Sequence, residues 1–298
     1  MILVTGGTGF IGSEVIQQLS AAGKPYRLLI EPTRKPIALP KNMDFDVALS
    51  SLTDVRGVRA ALKDVDVIYH LSGAGDFTKS SSISGKEIKD TQVLCQIAAD
   101  AQVKRILYLS NLGADRASAF QLLKVNGIVE HLVRDCGVGF TILRTGLVYG
   151  KGDHFTQNLA RLIRSSPGFV FIPGDGKALL QPLWIGDLVT ALIWSLDMPG
   201  TLNQTIEIGG PEYLSFLEVI LQIAQTIKKK RRFVEFNPVQ LGWLTQTLES
   251  INKNFPPSMF WLDYLAENRT CDLNSMSQYF GIIPARFKQK INYLLEKN

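Results

Sequence analysis

Three glycines near the start of the chain stand at a spacing suited to phosphate binding. Gly6, Gly9 and Gly12 follow the apolar run Ile2–Val4 and accompany a helical pattern from Ile11 to Leu19. Glycine lets the backbone approach a ligand closely, and N–H groups at a helix N-terminus bind the pyrophosphate of a dinucleotide. The pattern therefore predicts a dinucleotide site. We expect it to comprise Thr5, Gly6, Gly9, Phe10, Ile11 and Gly12.

An acidic residue follows the next predicted strand. Glu31 comes directly after the run Tyr26–Ile30, about 20 residues beyond the glycines, where a carboxylate can bind the adenosine ribose hydroxyls. Its charge would repel a 2′-phosphate, which favours NAD as the cofactor. Arg34 is close enough in sequence to offset that repulsion, so NADP stays open as the alternative.

Strands and helices alternate along the first half of the sequence. Six strand patterns, separated by helical patterns, predict an α/β fold with a doubly wound parallel sheet of Rossmann type. We expect residues 1–150 to form the dinucleotide-binding region. Residues 151–298 contain scattered helical patterns and Pro/Gly loops. We expect this smaller, mostly helical region to close the cleft without folding independently.

The composition indicates a folded protein with a sizeable core. The chain has 298 residues, of which 46% are hydrophobic, and this excludes a largely disordered protein. Cys95, Cys136 and Cys271 lie far apart, which argues against a disulfide framework. The three histidines lack metal-ligand spacing, so no metal site is expected, and His70 is expected to line the cofactor cleft. No long apolar run is present, and we expect a cytoplasmic protein, either free or peripheral to the inner face of a membrane.

Two segments of the second half have more than one interpretation. The basic run 228–232 is either the solvated end of a helix or a docking patch for an anionic membrane surface. The aromatic stretch 236–261 either packs in the core or docks on a membrane complex. Nucleic acid is not an expected partner, because no interleaved aromatic and basic pattern accompanies the basic run.

Several motifs together resemble those of the extended and atypical short-chain dehydrogenase/reductases. They are Thr5–Gly12, His70–Gly73, Tyr108–Ala114, Thr141–Gly150, Pro182–Leu188 and Ile208–Glu212. Within that superfamily, the chain resembles most the branch of the nucleotide-binding accessory subunit of respiratory complex I and its bacterial relatives. The resemblance implies an NAD(P)-binding, epimerase/dehydratase-like fold. It places Leu71, Ser72 and Gly73 at the cofactor, and Ser51 with Leu52 at the adenine edge.

The catalytic tyrosine of that superfamily is missing. Its Tyr-x-x-x-Lys pattern falls on Phe120 and Lys124, with phenylalanine where the phenol should be. In a second alignment of the helix, the two positions are Leu122 and Asn126. The serine at the end of the fifth strand corresponds to Ser110 or to its neighbour, Asn111. Neither alignment supplies a phenolic proton donor, which is worth about 10²- to 10⁴-fold in rate.

Three substitutes for the phenol stay open. Lys124 could act as the acid if burial lowered its pKa, or Ser110 and Asn111 could orient a water molecule. Alternatively, the chain could reduce or isomerise a hydrophobic carbonyl or quinone-like substrate that needs less help from an acid. The competing hypothesis is a non-catalytic nucleotide-binding subunit or assembly factor of a membrane-associated respiratory-type complex.

Overall fold

A computed structural model describes residues 1–32, 45–71, 84–237, 240 and 264–296. The strands are β1 (Ile2–Thr5), β2 (Tyr26–Ile30), β3 (Asp46–Leu49), β4 (Val67–His70), β5 (Arg105–Asn111), β6 (Gly139–Thr145), β7 (Val148–Tyr149), β8 (Phe169–Pro173), β9 (Leu179–Leu180), β10 (Leu183–Trp184), β11 (Gln204–Ile208), β12 (Leu214–Ser215) and β13 (Arg232–Phe236). The α-helices are α1 (Phe10–Ala21), α2 (Val55–Ala61), α3 (Ser84–Asp100), α4 (Gln121–Asp135), α5 (His154–Ser165), α6 (Ile185–Trp194), α7 (Phe216–Thr226), α8 (Ser275–Phe280) and α9 (Phe287–Lys290). Short 3₁₀ helices cover Pro199–Thr201 and Ile291–Leu295.

Seven strands form one parallel sheet in the order β11-β6-β5-β4-β1-β2-β3. β1 pairs with β2 on one side and with β4 on the other, so Thr5 has Leu29 and His70 as its Cα partners. Chain order reverses between β1 and β4. Such a reversal opens a crevice at the carboxyl ends of the strands, where ligands of doubly wound folds bind. The predicted α/β class is therefore confirmed.

Apolar strands explain why both faces of the sheet are covered. All four residues of β1 are buried, as are the first six of β5, since both strands lie inside the sheet. One face packs on α1 and α6, and the other packs on α2, α3 and α4. Edge strand β3 differs, because Val47 and Leu49 are exposed. This two-sided burial matches the near-continuous apolar runs of a parallel sheet.

The second half of the chain contributes to both the main sheet and a separate core. β11 pairs in parallel with β6 and supplies a seventh strand beyond the six expected. A second apolar cluster joins α5, α7, β8 and the C-terminal segment around Phe287. Asp153 caps α5 by accepting from the Thr156 backbone at 2.6 Å, and it also accepts from the Tyr293 hydroxyl at 2.8 Å. The division at residue 150 stays a prediction.

Candidate functional site

The glycine loop leaves the amino end of α1 open. Gly6 has φ of 72°, a left-handed conformation that favours glycine, and its carbonyl accepts from the Gly9 backbone at 3.0 Å. Gly9 is the N-cap in an extended conformation, and no side chain of the described ranges caps the helix. The first turn of α1 carries no acidic residue. Its N–H groups can therefore act as donors to an anion.

Added methyl groups would meet different surroundings at two of these glycines. A Cβ on Gly12 would lie 2.1 Å from the Gly6 carbonyl oxygen, so this glycine allows the helix to touch the turn. Among the described residues, a Cβ on Gly9 would meet only that same oxygen, at 3.3 Å, so these residues leave space beside Gly9. This space, which we call the cradle, suits a pyrophosphate. A larger side chain at position 9 would fill it.

The first two side chains of α1 pack against the protein. Ile11 is buried in the apolar cluster on the face of the sheet that α1 and α6 cover. The Phe10 ring lies against the turn after β7, where its atoms are 3.4 Å from a Cβ built on Gly150 and 3.6 Å from one on Gly152. This packing anchors the first turn of α1 to the second half of the chain while the backbone stays available.

A lysine that sequence reasoning missed sits beside Glu31. Lys86, in the first turn of α3, donates to Glu31 at 2.5 Å and to Asp90 at 3.0 Å. Partial burial opposes protonation of Lys86, but hydrogen bonds to the two carboxylates outweigh it and raise the pKa of the lysine. The charge of Glu31 is therefore partly neutralised at the end of β2. The one sequence signal that could have pointed to Lys86 was its spacing of four residues from Asp90, which is typical of an ion pair on a helix.

The remaining predicted cofactor residues fall into three groups. Ser51 and Leu52 follow β3, where the Ser51 hydroxyl pairs with that of Thr53 at 2.9 Å and Leu52 is buried. Leu71 is buried after β4, and its N–H donates to the Thr5 carbonyl at 3.2 Å. Arg34, Ser72, Gly73 and most of the segment 236–261 lie outside the described residues.

His70 does not line the cleft as expected, because it is fully buried between β1 and α3. The Thr91 hydroxyl donates to the Glu87 carbonyl, so it accepts from Nε2–H of His70 at 2.9 Å. Nδ1 then accepts from the Thr5 hydroxyl at 2.8 Å. Burial lowers the pKa of His70 to about 4, which keeps the ring neutral at pH 7. Hydrogen bonds through His70 thus connect β1, β4 and α3 near the carboxyl ends of the two strands.

Ser110 belongs to a buried ionic network. Its hydroxyl donates to Glu130 Oε1 at 2.6 Å, and both residues are almost completely buried. Glu130 also accepts from Arg134 at 2.6 Å and twice from Arg144 at 2.8 Å. The Ser110 hydroxyl therefore donates its hydrogen bond into the interior of the protein. A role for Ser110 in orienting water stays a prediction.

The other catalytic candidates lie at the end of β5 and the start of α4. Asn111 is half-buried at the last position of β5. Phe120 is the half-buried N-cap of α4, and its carbonyl accepts from the Lys124 backbone at 3.0 Å. The Lys124 side chain is exposed and so lacks the burial that its role as an acid requires.

The second alignment of α4 places no polar group in the cleft. Leu122 is half-buried, and Asn126 is buried and accepts from the Tyr108 hydroxyl at 3.2 Å. Burial and the nearby Glu87 and Glu130 raise the pKa of Tyr108 well above its usual value. Tyr108 is therefore a core residue rather than a substitute phenol. Sequence reasoning also missed Arg269, whose guanidinium carbon lies 5.6 Å from the Phe120 ring centroid.

Residues 6–160 match the model of a family described as NAD(P)H-binding. This chain belongs to that NAD(P)H-binding family. Membership confirms the NAD(P) cofactor and the resemblance to the atypical short-chain dehydrogenase/reductases, and it agrees with the open helix terminus behind Gly9. No helix in the described part of the chain is long and apolar enough to cross a membrane.

Two curated relatives and one solved structure extend the comparison. The chain is 28% identical over 239 residues to an NAD(P)H azoreductase of Xenophilus azovorans, covering 78% of this chain and 76% of the relative. It is 23% identical over 303 residues to mitochondrial NADH dehydrogenase (ubiquinone) 1 alpha subcomplex subunit 9 of Arabidopsis thaliana, covering 96% and 74%. The fold matches Thermus thermophilus UDP-glucose 4-epimerase in complex with NAD, with a TM-score of 0.73 and 18% identity over 99% and 97% of the two chains.

The two glycines separate binding from folding in this NAD(P)H-binding protein. We expect Gly9→Val to weaken NADH binding by about 10- to 100-fold, because the side chain fills the cradle and removes hydrogen bonds to a charged group. Its free energy of unfolding should fall by only about 1 kcal/mol, the cost of a poorer N-cap. Calorimetric titration with NADH and urea unfolding measure the two effects.

Matched variants complete that test. Gly12→Ala should lower the free energy of unfolding by about 1–3 kcal/mol or more, since its methyl group overlaps the Gly6 carbonyl. Gly200→Val is the control, because Gly200 is exposed with open space around it. Unchanged NADH affinity in Gly9→Val would contradict the placement of the pyrophosphate.

Proposed function

We propose that this chain is an NAD(P)H-dependent reductase of a conjugated, hydrophobic acceptor such as a quinone. The observation that carries the proposal lies at the end of β5 and the start of α4, which we call the reaction end. Phe120 stands there in the place of the superfamily tyrosine. The uncapped amino end of α1 supports binding of the dinucleotide. When bound, the reduced nicotinamide supplies two electrons and one hydrogen, and a solvent proton completes the conversion of a quinone to a hydroquinone. The azoreductase relative supports the same class, because an azo group is also a conjugated acceptor.

Acceptors of this class need little help from a protein acid. Reduction of a saturated ketone leaves an alkoxide, which is roughly as basic as hydroxide. Reduction of a quinone leaves a phenolate-like oxygen with a pKa of about 10, close to that of tyrosine. The absence of a phenol therefore costs a quinone reductase far less rate than a ketone reductase.

The residues around the reaction end have limited roles under this proposal. Asn111, at the end of β5, is the half-buried polar side chain available to orient the acceptor or a water molecule. Phe120 provides an apolar face for a flat ring, and its aromatic contact favours offset stacking. Lys124 supplies a positive charge at the solvent-exposed rim. Together they position an acceptor without transferring a proton through a phenol.

Acceptor choice tests the proposal. We expect NADH oxidation with menadione at a rate at least about 100-fold above that with cyclohexanone, because only the ketone requires an acid. Absorbance at 340 nm measures both rates. Equal rates with the two acceptors would contradict the proposal, and so would tight NADH binding with no turnover of any quinone or azo dye. The second outcome would favour a non-catalytic nucleotide-binding subunit.

We further propose that Lys86 sets the choice between NADH and NADPH. Glu31 alone would repel a 2′-phosphate, whereas the ion pair with Lys86 reduces that repulsion. The pair is exposed to solvent, with about half of each side chain accessible, so its effect is modest. We therefore propose that the chain prefers NADH but also binds NADPH measurably.

Removing the lysine should increase the preference for NADH. We expect Lys86→Met to raise the ratio of the NADPH and NADH dissociation constants by about three- to five-fold, the range of an exposed ion pair. Lys89→Met is the matched control, since Lys89 is exposed on the same helix without such a partner among the described residues. A ratio unchanged in Lys86→Met would mean that the lysine does not face the 2′-position.

A second candidate function is that of a nucleotide-binding subunit at a membrane, and one surface favours it. Phe169, Phe171 and Val234 are exposed on the β8/β13 pair, and the rings of Phe171 and Phe236 lie 4.8 Å apart. We name this surface the aromatic ribbon. Exposed aromatic groups beside positive charge suit the interface of an anionic membrane.

Basic residues directly precede the ribbon. Lys228, Lys229, Lys230 and Arg232 are exposed, whereas Arg231 is held by the Ile163 carbonyl at 3.0 Å and the Ser166 hydroxyl at 2.8 Å. The exposed cations complement anionic lipid, with about 1 kcal/mol for each. The relative from respiratory complex I supports this second candidate.

Vesicle binding tests the surface. We expect the chain to sediment with phosphatidylglycerol vesicles and not with phosphatidylcholine vesicles. Changing Lys228, Lys229 and Lys230 together to glutamine should weaken that binding by about two orders of magnitude. A triple change at Lys63, Lys89 and Lys288, which are exposed elsewhere, should leave binding within a few-fold. Equal loss in both variants, or no binding by the unaltered chain, would contradict the assignment.

A further inference from the structure

Arg269 is a buried cation with too few acceptors. Only 3% of the residue is exposed. Within the described part of the chain, its guanidinium has one hydrogen-bond acceptor, Oε2 of Glu267, at the long distance of 3.3 Å from Nη1. Nε is buried without a partner there. A guanidinium carries five N–H donors, and a buried charge with unmade hydrogen bonds is costly.

Two other arginines of the described residues, the buried Arg105 and the half-buried Arg144, are well supplied with acceptors. Arg105 donates to the Ser195 carbonyl at 2.7 Å and to the hydroxyls of Thr141 and Thr201. Arg144 makes two bonds of 2.8 Å to one buried carboxylate and a third bond, of 3.0 Å, to a carbonyl. Arg269 therefore has fewer acceptors than either of these arginines, although it is the most buried of the three. A ligand would supply the missing acceptors.

The backbone and two aromatic rings fix the position of this guanidinium. The Arg269 N–H donates to the Leu179 carbonyl at 2.8 Å, which ties the segment to β9. The guanidinium carbon lies 5.6 Å from the centroid of the Phe120 ring and 5.8 Å from that of Tyr264. A Cβ on Gly113, just after β5, would be 2.8 Å from Nη1. Arg269 therefore lies at the reaction end, beside the position of the missing phenol.

We infer that Arg269 binds the carboxylate of an anionic aromatic acceptor. The two rings keep water from the guanidinium and so strengthen its attraction for an anion. Glu267 is 60% exposed on its side chain, so a ligand carboxylate can displace it and form two parallel bonds with the guanidinium. The inference rests on the proposed reductase function for the identity of the ligand as an acceptor. Anion binding itself is a property of these residues and can be measured without turnover.

Benzoate is the probe for direct binding. We expect calorimetric titration of the full chain, saturated with NADH, to show benzoate binding that Arg269→Gln weakens by about 10- to 100-fold, the usual cost of losing a charged hydrogen-bond donor. Arg161→Gln, a change at an exposed arginine, should have no effect. NADH affinity should be equal in all three proteins, which shows that each is folded. Absence of benzoate binding by the unaltered chain, or equal binding by Arg269→Gln, would overturn the inference.

A second variant keeps the test decisive if Arg269→Gln fails to fold. Glu267→Gln removes the competing carboxylate from an exposed position, so benzoate should bind about three- to five-fold more tightly. Unchanged or weaker binding in this variant would overturn the displacement of Glu267 by a ligand.

Turnover separates this inference from the proposed function. We expect Arg269→Gln to raise the KM for a carboxylated azo dye while leaving the KM for its methyl ester within a few-fold. Equal effects on acid and ester would contradict carboxylate recognition. Arg269-dependent benzoate binding without turnover of any acceptor would contradict the reductase function and leave the anion site standing.

Discussion

The contact between Gly12 and the Gly6 carbonyl is the constraint on which the rest of the site depends. A Cβ at Gly12 would lie 2.1 Å from that oxygen, so the helix can reach the turn after β1 only because no side chain intervenes. This approach aims the first turn of α1 at the crevice between β1 and β4, where the order of strands reverses. Glu31 at the end of β2 and Asn111 at the end of β5 then share one edge of the sheet.

The buried carboxylate of Glu130 organises the reaction end in a different way. Three side chains, those of Ser110, Arg134 and Arg144, donate to it. An uncompensated carboxylate at that depth would be strongly destabilising, so these bonds hold β5, β6 and α4 together. Arg134 and Arg144 also bond to Thr205 and Glu207 of β11. Ser110, one of the two candidates for the superfamily serine, therefore takes part in the packing of the sheet.

Local patterns predicted the sheet, whereas long-range side-chain contacts could not be predicted. The alternation of strands and helices is encoded within short windows, so the order of β1 to β6 and the NAD(P) cofactor followed from the sequence. Lys86 and Glu31 are 55 positions apart, and Arg269 reaches Phe120 from the far end of the chain. Such pairings depend on how α3 and the C-terminal segment pack on the sheet. The pairing of β11 with β6 likewise leaves no local signal in the sequence.

Catalytic assignments were harder for a physical reason. Ser110 is one of two candidates for the catalytic serine, and the orientation of its hydroxyl depends on a partner 20 positions away. Lys124 has the expected spacing, yet its exposure is set by the helix face turned to solvent. Residue type and spacing specify which groups reach an edge of the sheet. Burial and bonding decide which of them face a ligand, and these are tertiary properties.

A crystal structure of the chain with NADH tests the central claim most directly. The account predicts pyrophosphate oxygens about 3 Å from the backbone nitrogens of Phe10 and Ile11, with the nucleotide passing over the space beside Gly9. It also predicts that the adenosine ribose lies next to Glu31 and Lys86. A nucleotide bound away from the amino end of α1, with those backbone nitrogens in contact with water or with protein side chains, would contradict it.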